Sequence, residues 1–313
     1  MTADLRAERR LDSAAPHRSS QHRLLDATWS VASNDARWCA LVDTAYAACA
    51  ADANAVGTAH TKTAHTKTAH TKAAFVILDD APDEPASRLR VFVDGVRVLT
   101  TDAPGAVLHR VAWEITRAAI DSERCSILVH AGVVARDGRA VVLPAPPDAG
   151  KSTLVAALVA AGFDYLSDEA AVIDPGTLRC RPMPRPLGLD PGSWPLFPEL
   201  APRDPFVVEC SAAMWLVAPD ALRPGAIGAA APAEIAAIVV PGYDPRRPTT
   251  AASLPRAEAL TLLSEHSFDF AGHGRRGFRS LARLVASVPC RRLSVRELDR
   301  AVAEIEALIE TAR

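Results

Sequence analysis

Apolar residues recur along this chain in short runs that glycine, proline and aspartate interrupt, a pattern typical of strands alternating with helices. The predicted strands are residues 75–78, 90–99 (a hairpin turned at Asp94-Gly95), 126–134, 140–143, 163–166, 171–173, 214–217 and 235–240. The predicted helices are 105–121, the stretch after residue 153, and 298–309, which follows a capping box of Ser294 and Glu297. The alanine-rich stretch 26–50 predicts one or two more helices. The pattern indicates an α/β protein.

One loop in this pattern carries a recognisable chemistry. Residues 145–153 read Ala-Pro-Pro-Asp-Ala-Gly-Lys-Ser-Thr, between the predicted strand 140–143 and an apolar helix. Strand, tight loop and helix is the order of a phosphate-binding loop, because backbone N–H groups and the helix dipole then converge on one concavity. The predicted nucleotide-binding residues are Ala145, Pro146, Pro147, Asp148, Ala149, Gly150, Lys151, Ser152 and Thr153.

Two residues of the loop have specific predicted roles. We expect Lys151 to reach the β- and γ-phosphates of ATP and the hydroxyl of Ser152 to ligate Mg²⁺. Ala145 stands where such loops usually open with glycine, and alanine is tolerated there if its φ is not positive.

A pair of acidic residues follows the loop. Asp168 and Glu169 lie 17 and 18 residues after Lys151, which leaves room for one helix and a returning strand. Phosphoryl transfer to a hydroxyl needs metal ions and a carboxylate that accepts the proton, so these residues are candidates for both tasks. Alternatively, Asp168 and Glu169 form a solvated turn between two strands. His130 lies on an apolar strand and could equally be a histidine of the hydrophobic core.

Composition excludes several classes of protein. The 313 residues are 49% hydrophobic with a net charge of −2, which leaves no basic surface for nucleic acid. The first residues lack an apolar signal core, and no apolar run approaches the ~18 residues of a membrane span, so a cytoplasmic protein is expected. Six scattered cysteines include no C-x-x-C pair, which disfavours a zinc cage.

A repeated segment suggests the domain organisation. Residues 58–72 repeat Thr-Ala-His-Thr-Lys three times, and histidines five residues apart cannot share a helical face. We interpret the repeat as a solvated linker that ends an N-terminal region, 1–72, before a nucleotide-binding domain, 73–313.

The order of His130, the loop 145–153 and Asp168-Glu169 resembles the catalytic domain of the bacterial HPr kinase/phosphorylase family, over about residues 126–190. The segments 182–187, 243–245 and 266–270 further resemble HPr-kinase-related proteins found beside peptide-modification genes.

The resemblance implies a C-terminal-domain-like fold related to the phosphoenolpyruvate carboxykinase P-loop fold. It implies that Asp168 is the general base, that Glu169 helps to hold Mg²⁺, that His130 tunes the base and that Arg185 contacts a phosphate. A structural salt bridge would fit Arg185 equally well. Glu169 stands where the family usually has a second aspartate. The segment 188–194 is unlike the family's HPr-capturing loop, which speaks against HPr as the acceptor.

The expected activity is ATP- and Mg²⁺-dependent phosphorylation of a hydroxyl, on a serine of a small protein or peptide. Two alternatives remain open: a nucleotide-binding module that organises a partner without turnover, and a kinase of a small metabolite. We expect neither nucleic acid nor membrane as a partner, and the sequence leaves the oligomeric state open, a homo-oligomer included.

Overall fold

The computed structural model describes residues 11, 13–51, 71–81, 88–228 and 231–311. Residues 58–70, and with them the three repeated histidines, lie outside these ranges. The fold is mixed α/β, as the hydrophobic pattern predicts. In the described part of the chain, no helix combines the length and apolar character that crossing a membrane requires.

The described strands are β1 (His17–Arg18), β2 (His22–Leu24), β3 (Ala27–Ser33), β4 (Thr71–Asp79), β5 (Leu89–Val93), β6 (Val96–Thr101), β7 (Ile127–Arg136), β8 (Arg139–Pro144), β9 (Asp164–Ser167), β10 (Ala170–Ile173), β11 (Arg179–Arg181), β12 (Leu187–Leu189), β13 (Trp215–Val217), β14 (Ala233–Tyr243), β15 (Thr250–Ser253) and β16 (Cys290–Val295). The described helices are α1 (Ala36–Ala45), α2 (Pro104–Ser122), α3 (Lys151–Ala160), α4 (Pro205–Cys210), α5 (Pro219–Leu222), α6 (Arg256–Glu265), α7 (Phe270–Ser287) and α8 (Leu298–Thr311).

The chain divides into two compact units. Unit 1 comprises residues 1–123 and 188–218, and unit 2 comprises residues 124–187 and 219–313. The expected boundary near residue 73 falls inside unit 1, because β4 pairs in parallel with β3 of the N-terminal region. Thr71 and Lys72, the last residues of the repeat, begin β4, so the end of the predicted linker belongs to a sheet.

Unit 1 contains a six-stranded sheet in the order β1-β3-β4-β5-β6, with β2 also paired to β3. The predicted hairpin is present, and both Asp94 and Gly95 have the positive φ that its tight turn requires. One helix of the one or two expected over 26–50 is present, α1, whereas residues 27–33 form the strand β3, which was not expected. Six of its seven residues are buried, so packing on both faces overrides the helical preference of alanine.

Unit 2 contains an eight-stranded sheet in the order β11-β10-β7-β8-β14-β16-β15, and β9 also pairs with β7. β14 runs parallel to both β8 and β16, whereas β7 is antiparallel to β8. The hydrophobic core of unit 2 includes residues of β7, β8 and β14, such as Val133, Val142 and Ile238, each fully buried. Because β8 and β14 are parallel, their carboxyl ends lie at the same edge of the sheet. Ligands of α/β proteins commonly bind at such an edge.

The predicted capping box before α8 does not form. Ser294 lies within β16, and its hydroxyl has no hydrogen-bond partner among the described residues. The hydroxyl of Thr249 instead accepts from the backbone N–H groups of Arg296 (3.0 Å) and Glu297 (2.9 Å). A residue far away in the sequence thus accepts the hydrogen bonds of the backbone N–H groups at the start of the helix, which a local motif cannot reveal.

Candidate phosphoryl-transfer site

The loop 145–150 leaves the sheet at the end of β8 and enters α3. Asp148 and Gly150 have positive φ values of 62° and 81°, so two residues with left-handed backbone bring the chain to the start of the helix at Lys151. Such alternating backbone forms a concave nest of N–H groups that suits an anion. Ala145 is fully buried and its φ is not positive, which explains why glycine is not required there.

Within the loop motif, exposure differs along the chain. Residues 146–148 are exposed, whereas Ser152 and Thr153 are half-buried in the first turn of α3. Lys151 itself is buried, with 7% of its surface exposed. The side chains at the helix start therefore point toward the protein, and the tip of the loop faces solvent.

Gly132 on β7 allows α3 to approach the sheet. A Cβ atom at this position would lie 2.6 Å from Cγ2 of Val155 and 3.3 Å from Cγ of Lys151. Only a residue without a side chain leaves that space to Lys151. Sequence reasoning did not single out Gly132 for this role.

The side chain of Lys151 ends at His130. Its Nζ lies 2.6 Å from Nε2 of the imidazole, and Nδ1 of the same ring lies 3.4 Å from Oε1 of Glu169. The imidazole of His130 therefore links the ammonium group of Lys151 to the carboxylate of Glu169. Burial lowers the pKa of Lys151, while the carboxylates of Glu169 and Asp168 oppose that shift.

The acidic pair lies between β9 and β10, which both pair with β7. Val133 pairs with Ser167 and His130 with Ala170, so Asp168 and Glu169 lie opposite Gly132 and Ala131 in the same register. The hydroxyl of Ser167 accepts from the backbone N–H groups of Glu169 (3.1 Å) and Ala170 (3.0 Å), which holds the bend. Asp168 and Glu169 thus form a bend between two strands, but Asp168 is only 4% exposed, so the solvated turn that would also have fitted the sequence is not formed.

Arg185 binds both members of the acidic pair. The guanidinium donates to Oε2 of Glu169, and its Nη1 lies 3.6 Å from Oδ1 of Asp168. Burial alone would raise the pKa of Glu169, but the hydrogen bond from His130 and the positive charges of Arg185 and Lys151 outweigh it and lower that pKa to about 2. Glu169 is therefore ionised at neutral pH.

Tyr165 orients Asp168. Its hydroxyl lies 3.0 Å from Oδ1 of Asp168 and 2.9 Å from the backbone carbonyl of Arg185. The ring is fully buried and Asp168 is only 4% exposed, so the carboxylate is held in a fixed position. Sequence reasoning missed Tyr165, because nothing in the motif marks a tyrosine three residues before the acidic pair.

A segment from the far end of unit 2 borders the same cluster. The backbone carbonyl of His266 accepts from the N–H of His130 (2.7 Å), and the N–H of Phe268 donates to the carbonyl of Leu128 (3.0 Å). The ring of Phe268 meets His130 edge-on, with centroids 5.9 Å apart. Burial, together with the charges of His130 and Lys151, lowers the pKa of His266.

The structure thus places His130, Lys151, Asp168, Glu169 and Arg185 in one cluster of unit 2. Among the described residues there is no group of three or more His, Cys, Asp and Glu side chains that could hold a metal ion by themselves. The donors present, a serine hydroxyl and one or two carboxylates, instead fit Mg²⁺, which usually takes its remaining ligands from phosphates and water.

Comparisons with known proteins give little further support. No family model matches the chain, and no curated protein matches its sequence. A solved structure of the HPr(Ser) kinase/phosphatase from Coxiella burnetii aligns with 59% of this chain and 94% of its own length, at 11% identity and a TM-score of 0.27. Similarity at this level assigns neither an activity nor a substrate to the chain, so a functional proposal has to rest on the site itself.

Proposed function

We propose that unit 2 is an ATP- and Mg²⁺-dependent kinase that transfers the γ-phosphoryl group to a hydroxyl, on a serine of a small protein or peptide. One observation carries the proposal: a loop with left-handed residues at a helix N-terminus, a buried lysine and two oriented carboxylates meet at the edge of one sheet. The loop explains phosphate binding, and the carboxylates are the groups that transfer to a hydroxyl requires.

In this proposal Asp168 accepts the proton of the substrate hydroxyl. The hydroxyl oxygen attacks the γ-phosphorus of ATP, and the bond between that phosphorus and the β–γ bridging oxygen breaks. Tyr165 and Arg185 hold Asp168 in place for that step. Lys151 offsets the negative charge of the phosphates.

The residues fit Mg²⁺ as well as ATP. Ser152 and the ionised Glu169 would hold the ion, which supplies charge neutralisation at the phosphates when bound. His130 and Arg185 keep the carboxylate of Glu169 oriented through its two oxygens.

The decisive variant is Asp168→Asn, which preserves the shape of the side chain and removes the proton acceptor. We expect transfer from labelled ATP to serine peptides, or slow ATP hydrolysis without an acceptor, to fall ~10²- to 10⁴-fold. Nucleotide affinity, measured in parallel by calorimetry, should change little.

Asp174→Asn is the matched control, since Asp174 lies in an exposed turn bonded to Gly176 and Thr177. Transfer by Asp168→Asn at the wild-type rate would exclude Asp168 as the base. Tight ATP binding without turnover by the wild type, across serine peptides and small hydroxylated metabolites, would favour a nucleotide-binding module. Transfer to a metabolite alone would favour a small-molecule kinase.

A further inference from the structure

Tyr243 is an exposed aromatic residue beside the phosphate loop. It ends β14, and 64% of its surface is exposed. Its Cβ lies 3.8 Å from the point where a Cβ on Gly150 would stand. The side chain of Tyr243 therefore starts beside the last residue of the loop, and most of it is open to solvent.

The strand order decides which part of a nucleotide can reach this ring. β8, which leads into the loop, has β7 on one side and β14 on the other. The acidic pair and His130 lie on the β7 side. If the phosphates lie on the loop with the γ-phosphate toward Asp168, the nucleoside lies on the opposite side, next to β14.

The backbone under Tyr243 is held firmly. Tyr243 pairs with Val295 of β16, and the next N–H, that of Asp244, donates to the carbonyl of Val295 (2.9 Å). The carboxylate of Asp244 in turn accepts from the N–H of Arg246 (2.9 Å). By contrast, no ring contact or side-chain hydrogen bond of Tyr243 to another described residue is found, so its face is open to a ligand.

We propose that Tyr243 stacks on the base of the bound nucleoside triphosphate. A planar ring on a fixed backbone suits an aromatic base, because stacking needs area and little conformational adjustment. The inference rests on the proposed function, since it takes the position of the phosphates from the loop. It adds the residue that recognises the nucleoside as distinct from the phosphate chain.

The test compares two ligands that share their phosphates. Affinities of the wild type, Tyr243→Ala and Tyr243→Phe for ATP and for inorganic tripolyphosphate, both with Mg²⁺, are measured by calorimetry. We expect Tyr243→Ala to bind ATP about 10-fold more weakly, to bind tripolyphosphate as the wild type does, and to be rescued by phenylalanine. Phe278→Ala, at a second exposed aromatic of unit 2, is the matched control and should bind both ligands normally.

The outcomes separate the two proposals. Equal ATP affinity in the wild type and Tyr243→Ala overturns the stacking role and leaves the kinase proposal standing. Loss of tripolyphosphate binding in Tyr243→Ala also overturns it, because the residue then supports the loop rather than the base. A wild type that binds neither ligand overturns both proposals.

Discussion

Lys151 is buried, its ammonium group contacts His130, and the negative charges of Glu169 and Asp168 act on it. Because hydrogen bonds to charged groups are worth about 1.5–3 kcal/mol, Lys151→Ala should weaken ATP binding by at least ~10-fold in calorimetry. Lys72→Ala, at an exposed lysine of β4 in unit 1, serves as the control. Equal affinities of wild type and Lys151→Ala would remove the basis for a phosphate-binding loop.

Glu169 gives the site a dependence on pH. Its pKa lies at about 2 in the folded protein, below the ordinary value of 4.5, so its interactions stabilise the fold above pH 4.5 and are lost as the pH falls toward 2. We expect the wild type to exceed Glu169→Gln in free energy of unfolding by on the order of 1–3 kcal/mol at pH 7.

Denaturant unfolding between pH 2 and 7 measures this difference, which should shrink over the acidic half of that range. Glu304→Gln is a suitable control, because Glu304 is exposed on α8 and forms no ion pair with another described residue. A difference that stays constant down to pH 2 would contradict the lowered pKa of Glu169.

The approach of α3 to β7 depends on Gly132. Gly132→Ala should cost about 1–3 kcal/mol of unfolding free energy, because the new methyl group collides with Val155 and crowds Lys151. Nucleotide affinity should fall with it. Gly192→Ala is the matched control, since a Cβ there meets open space. Thermal and denaturant unfolding compare the two variants, and equal stabilities would show that the helix can move away without cost.

Two hydroxyl groups near the start of α8 distinguish local from tertiary capping. Thr249→Val should lower the free energy of unfolding by about 0.5–2 kcal/mol, since it leaves the N–H groups of Arg296 and Glu297 without their acceptor. Ser294→Ala should be neutral or stabilising, because its buried hydroxyl has no partner among the described residues. The reverse order of effects, measured by denaturant unfolding, would restore the capping box that the sequence predicts.

The sequence predicts the elements of this chain well where the signal is local. The turn at Asp94-Gly95 and the loop before α3 lie where the pattern predicts them, because turn chemistry and φ preferences act over a few residues. β3 was not predicted, since its alanine and serine residues are in a strand only through pairing with β1, β2 and β4.

The candidate site shows the same division between local and distant signals. His130, Lys151, Asp168, Glu169 and Arg185 are named by motif and spacing, and the structure brings them together. The residues that position or border them are set by tertiary packing. Gly132 and Tyr165 were missed, whereas Tyr243 and His266 were marked only as members of the segments 243–245 and 266–270, without a role in the site. Those roles depend on which strands are neighbours, which a single sequence does not show.

At the scale of the whole molecule, the two units should respond differently to nucleotide. The proposed site lies entirely in unit 2, so ATP with Mg²⁺ should slow amide hydrogen exchange in β7, β8 and α3. The opening free energy of these elements should rise by up to the free energy of binding. Exchange in β3 to β6 of unit 1 should change little. Hydrogen exchange read by mass spectrometry resolves both regions, and equal protection of unit 1 would show that the ligand acts on both units.

The interleaving of the two units along the chain also bears on how the protein is made. On the ribosome, residues 130–185, which carry the whole charged cluster, emerge before residues 188–218 complete unit 1 and before β14 and β16 exist. Translation proceeds at ~5–20 residues per second, so β8 waits several seconds or more for its parallel partner. We expect a nascent chain stalled before residue 233 to hold the complete loop motif and still fail to retain ATP.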